Sequence, residues 1–250
     1  MNLVEPQVLA AVFCTFLLAG LVKGVIGLGL PTVSLGLLTA LFDLPTAMTL
    51  MIVPSFATNL WQASVGGHGL ALLRRLWPFL LLATGTIWIG ALTLSRWDLS
   101  LLSGLLGLLL VLYGGSALAG LRLSVPAPRE AWLGPLFGAT NGVLTGMTGS
   151  FVVPGVLYLQ AIGLPRDQLV QAMGILFTLS TLALALSLHD AGLSTAALDL
   201  ASLLALLPAI LGMVIGQRLR GHLSEARFRQ VFFASLLLLG AYIAGRTVIG

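Results

Sequence analysis

The 250-residue chain is 58% hydrophobic and carries only twelve Lys and Arg against eight Asp and Glu, too few charges to clothe a soluble domain of this size. A mean hydropathy of +1.06 therefore reads as a polytopic, all-α membrane protein. The net charge of +4 does not signal nucleic acid, because the basic residues are spread over short loops between apolar runs, where they orient a protein in a bilayer.

In chain order the apolar runs cover approximately 7–42, 44–64, 76–95, 99–121, 131–163, 167–188, 196–217 and 230–249. The amino terminus lacks a basic n-region, so the first run is expected to stay in the mature protein. Trp77, Trp97 and Trp132 flank run ends, where indoles favour the membrane interface. Two runs, 7–42 and 131–163, exceed the roughly 20 residues that one spanning helix needs. Each contains a glycine cluster closed by a proline, Gly20 to Pro31 and Gly142 to Pro154. Gly20, Gly24 and Gly27 recur 122 residues later as Gly142, Gly146 and Gly149, as Gly90 does in Gly212 and Arg96 in Arg218. Pro45/Pro165 and Thr58/Thr178 lie 120 apart. Glycine weakens a helix by about 1 kcal/mol relative to alanine, so each cluster reads as a break near Gly24–Gly29 and Gly146–Gly149. The competing reading is close helix packing of the small-xxx-small kind.

Charge decides how the long runs cross. If all eight runs span once, the arginines split five against six. If the two broken runs are hairpins returning to their starting side, Arg74, Arg75, Arg122, Arg129, Arg166, Arg218, Arg220, Arg227 and Arg229 share one side, and Arg96 and Arg246 the other. That bias favours the hairpins. The expected architecture is two inverted repeats, each a broken, re-entrant hairpin plus three transmembrane helices. Residues 1–124 form the first, 125–130 a cytoplasmic linker, and 131–250 the second.

With Gly20–Pro31 and Asp43-Leu-Pro45 echoed by Gly142–Pro154 and Gly163-Leu-Pro165, the whole chain resembles the TauE/SafE family of sulfite and organosulfonate exporters. Members often place three consecutive glycines where this chain has Gly27-Leu-Gly29 and Gly149-Ser-Phe151. The resemblance implies a multi-pass protein of the plasma (inner) membrane that moves small sulfur oxyanions, chiefly outward.

The residues support an anion site on their own account. Glycine breaks bring backbone N–H groups and helix N-termini toward a ligand. The expected substrate-binding residues in the first half are Lys23, Gly24, Gly27, Gly29, Asn59 and Gln62. Those in the second half are Asn141, Thr145, Gly146, Thr148, Gly149, Ser150, Gln171 and Thr178. Lys23, the only lysine, would cost about 2.5–3.5 kcal/mol at mid-membrane and so calls for a partner or a purpose. Alternatively it snorkels to the inner interface. Ser55, Thr58, Asn59 and Gln62 share a helix face, as do Gln171, Gly174, Thr178 and Thr181. They suit a lined cavity or ordinary interhelical glue.

Other chemistries are disfavoured. The single Cys14 rules out an internal disulfide and a multi-cysteine metal site, and no phosphate-binding loop is present, so no cofactor is expected. Thr148-Gly149-Ser150 lacks the rest of a nucleophile elbow, so no enzyme is expected. The partners are a small anion and the bilayer, with a homo-oligomer open. An anion channel and a non-transporting partner subunit stand as alternatives to a carrier. Every carboxylate falls at a run end or in a loop, and Asp43, closing the first hairpin, is the one candidate for proton coupling. A potential negative inside is worth about 2.3 kcal/mol per charge per 100 mV, an outward gradient on the order of fortyfold for a monoanion without coupling.

Overall fold

A computed structural model describes residues 5–94, 96–121 and 123–249, the last two by their backbone alone. The helices are α1 Pro6–Ile26, α2 Leu30–Leu41, α3 Leu44–Ser64, α4 Gly69–Gly85, α5 Ile87–Leu94, α6 Leu99–Leu118, α7 Ala127–Thr148, α8 Gly155–Ala161, α9 Arg166–Asp190, α10 Ala196–Leu219 and α11 Glu225–Ile249. No strand occurs among the described residues. Six stretches are long and apolar enough to span a membrane: Pro6–Ile26, Gly69–Leu94, Leu99–Leu118, Arg166–Asp190, Ala196–His222 and Glu225–Thr247. Helices α3 and α7 have spanning length too, at 21 and 22 residues, but polar side chains dilute their hydropathy.

The first break falls inside the expected window, at Gly27–Gly29, and the second starts at Gly149, the last residue of its window. Helix α1 continues through Gly24 and stops at Gly27, whose φ of 80° and N–H bond to the Lys23 carbonyl form a left-handed cap. Gly29, at φ 107°, then starts α2. In the second run α7 continues through Gly146 and stops at Gly149, φ 74°, before an irregular stretch to Pro154. The earlier glycines do what the competing reading assigned to them. A Cβ on Gly20 or Gly24 would lie 2.1 Å and 2.3 Å from the carbonyl oxygens of Ala209 and Met213 on α10. On Gly142 and Gly146 it would meet the Thr86 hydroxyl and the Ile87 carbonyl, both at 2.1 Å, where α4 passes into α5. Helix α1 thus packs along α10, and α7 along α4 and α5, at backbone contact.

The bundle has two ends. At one, Arg75 pairs with Glu130 at 2.6 Å and Arg166 with Glu225 at 2.7 Å. At the other, Arg246 donates to the Ala40 carbonyl, Thr247 to Ser100, and the Trp88 indole to Asp190. The Val125 N–H bonds to the Ala161 carbonyl at 2.9 Å, so the second run begins and ends at the basic end. The first run turns at the basic end, where Gly27 and Arg220 line one cavity, and α2 returns to the far end beside Arg246. Helices α3 and α9 pack together with much of their surface buried, and α6 pairs with α11.

Several boundaries differ from the sequence reading. Helix α4 starts at Gly69, so Arg74 and Arg75 are helical, and the span to Leu94 is jointed at Thr86, whose hydroxyl donates to the Leu82 and Ala139 carbonyls. Helix α7 starts at Ala127, so Pro128 to Glu130 lie in its first turn. Proline is favoured in that position because no intrahelical N–H is needed there. Arg122, counted with the basic side, lies outside the described residues.

Candidate functional site

The first break opens onto a vestibule of about 440 Å³ at the basic end. Lys23, Gly24 and Gly27 of the α1 end form one wall, Thr58 and Gln62 of α3 another. Exposed Arg166, Asp167 and Arg220 surround the mouth. Arg166 is paired with Glu225, which leaves Arg220 and Asp167 to balance one another at the mouth and Lys23 as the unpaired charge of the cavity.

Lys23 is 5% exposed, so it does not snorkel. The close approach of α1 to α10 at Gly20 and Gly24 holds its backbone inside the bundle. Its ammonium donates to the Thr58 hydroxyl at 3.2 Å and to the Asn59 side-chain oxygen. Thr58 donates in turn to the Pro54 carbonyl at 2.8 Å, which leaves its oxygen lone pair for Lys23. Pro54 has no N–H to give, and its neighbour Ser55 holds a buried hydroxyl without a partner, as does the Asn59 amide nitrogen. Donors of this kind, buried and unpaired, are costly unless a ligand or water meets them.

The remaining expected residues divide. Gln62 donates to the Val170 carbonyl at 2.7 Å, and Gln171 donates to the Ala63 carbonyl at 2.8 Å while accepting from the His68 N–H at 3.0 Å. These two staple α3, α9 and the loop between α3 and α4. Thr178 bonds back to Gly174 within its own helix. Gly29 is packed against Val22 and Phe232 and does not line the vestibule, so the N-terminus of α2 is not presented there.

The second-half residues form their own cluster around the second break. Thr145 donates to the Ser150 carbonyl, Thr148 accepts from the Ser150 N–H, and Asn141 accepts from the Gly155 N–H at 2.9 Å. The Asn141 amide nitrogen and the Ser150 hydroxyl are buried and unpaired. Gly149 sits against Met48 and Leu35, and Phe151 against Phe177, so apolar side chains close over this break. Asp43 is an exposed N-cap: its two oxygens accept from the Thr46 N–H and hydroxyl at 2.8 Å and 2.9 Å. It caps the start of α3, whereas Lys23 bonds to Thr58 and Asn59 in the last third of that helix.

Sequence reasoning missed the contributions of Arg166, Asp167, Met213, Gln217 and Arg220 to the vestibule. A signal was present in Gly212, whose match to Gly90 marked α10 as the helix against which the first break packs. Among the described residues no cluster of His, Cys, Asp and Glu could hold a metal ion.

Six apolar spans, a buried cation and a cavity open at the basic end define a multi-pass membrane protein. The chain belongs to the sulfite exporter TauE/SafE family, whose model matches residues 12–243. That is a family of membrane transporters for sulfur-containing anions. No curated protein and no solved structure matches it significantly.

Proposed function

We propose that this protein exports sulfite or an organosulfonate across the plasma (inner) membrane by alternating access of two inverted repeats. The observation that carries the reading is Lys23, a buried cation held by neutral oxygens at the wall of a cavity flanked by Arg166 and Arg220. The exchange of partners supports the repeats: α1 of the first half packs on α10 of the second, and α7 of the second on α4 and α5 of the first. A twofold relation in the membrane plane accounts for one break at the basic end and one at the far end. The vestibule open to the basic end and the apolar cover over Gly149 then correspond to the inward-facing state, with residues 125–130 cytoplasmic. Lys23, Gly24, Gly27 and Asn59 bind substrate in this state. Asn141, Thr145, Thr148, Gly149 and Ser150 line the way out from Lys23 when the other face opens, with Gly146 holding α7 against α5. Gln62, Gln171 and Thr178 brace the path, and the capping role of Asp43 argues for potential-driven export without proton coupling.

Flux from liposomes holding only this protein tests the reading. Sulfite or methanesulfonate should leave with saturable kinetics and show counterflow, and Lys23→Met should weaken both. Linear, non-saturating flux would make it a channel. No flux with any sulfur oxyanion would reject a transport role for the chain alone.

A further inference from the structure

Lys23 is the one Lys, Arg, His, Asp or Glu side chain among the buried residues described. Neither ion pair among the described residues includes it. Its bonded neighbours, Thr58 and Asn59, are neutral, and so are the unpaired donors of the same helix, the Asn59 amide nitrogen and, one turn earlier, the Ser55 hydroxyl. The charges at the mouth, Arg166, Asp167 and Arg220, are exposed and therefore screened by solvent and salt. One uncompensated positive charge is what the interior offers.

Resting on the transport reading of this site, we infer that it is matched to a single negative charge: it takes a monoanionic oxyanion and rejects a dianion of similar size. A monoanion against Lys23 leaves the buried pair neutral. A dianion leaves one negative charge in the interior, and taking that charge out of water is not repaid. Ser55 and Asn59 supply hydrogen bonds to the remaining oxygens without adding charge. A sulfonate carries one charge, sulfite does so when singly protonated, and sulfate carries two. The same balance fixes which step feels voltage. The loaded site is neutral and changes face without moving charge. The empty site returns with Lys23 alone and moves one positive charge inward for each anion released outside.

The test is counterflow of labelled sulfite at pH 6 in proteoliposomes of the full chain. Methanesulfonate, a fixed monoanion, and sulfate, a fixed dianion, are the competitors. Competition is read rather than melting temperature, because sulfate stabilises folded proteins generally. Methanesulfonate should compete about tenfold or more better than sulfate, and Lys23→Met should erase that preference. In the wild type, with the potential clamped by potassium and valinomycin, counterflow should be insensitive to voltage while net efflux responds to it. Sulfate competing as well as methanesulfonate, neither competing while sulfite still exchanges, or counterflow as voltage-dependent as net efflux would each overturn the charge match and leave transport standing. No exchange of any anion would reject the transport reading and the charge match with it.

Discussion

Lys23 and Gln171 both sit on polar bonds near the vestibule, yet their bonds predict opposite phenotypes. The ammonium of Lys23 bonds only to Thr58 and Asn59, leaving donor capacity and an unbalanced charge for a ligand. Lys23→Met should therefore reduce affinity for sulfite at least about tenfold in a well-folded protein, and Lys23→Arg should retain part of it, because charge-assisted bonds are the stronger ones. Gln171 uses both ends of its amide, on Ala63 and His68, to hold a loop. Gln171→Ala should cost about 1–3 kcal/mol and lower the melting temperature, while sulfite affinity of the folded fraction is unchanged. Loss of affinity in the Gln171 variant without loss of stability would assign it to the ligand after all.

At the scale of the helix, the glycines of one motif serve two purposes. Gly24 lies inside α1 with the Met213 carbonyl 2.3 Å from where its Cβ would be, whereas Gly27 ends the helix at positive φ with open space around it. Gly24→Ala must push α1 off α10, an overpacking of about 1–3 kcal/mol. Gly27→Ala is charged only the left-handed backbone penalty, about 1–2 kcal/mol. Gly27→Leu projects into the vestibule and should fold with flux abolished, whereas Gly24→Leu should fail to accumulate as folded protein; size-exclusion profiles alongside flux separate the two. The sequence periodicity shows why the break was legible to within a few residues while the glycine that turns the chain was not. Two glycines before a proline mark an interruption from local backbone energetics alone. Which of Gly20, Gly24 and Gly27 bends the chain depends on whether another helix lies against it, and α10 is nearly two hundred residues away in sequence. The same distance hid Arg220 and Gln217 from the site. By contrast Lys23 and the face of Thr58 and Asn59 stood out, because polar groups in apolar runs are conspicuous whatever the tertiary fold.

Over the whole molecule, the orientation in the bilayer follows from where the arginines gather. Arg74, Arg75, Arg129, Arg166, Arg218, Arg220, Arg227 and Arg229 belong to the loops and helix ends of the basic end, against Arg96 and Arg246 at the other. Positive residues are retained on the cytoplasmic side, so the vestibule should open inward and the first helix should start outside. Single-cysteine labelling with a membrane-impermeant maleimide checks this in intact cells. Cys14 is exposed and must first be replaced by alanine. Cysteines at Glu5 and Gly192 should react from outside, and those at Val125 and Gly221 only after permeabilisation. Labelling of positions 5 and 125 from the same face would be incompatible with a first half that holds an odd number of crossings, and the inverted relation of the halves would fall with it. Labelling of all four with sides reversed would keep the repeats but turn the vestibule outward, making the same buried cation an entry site for uptake rather than the starting point of export.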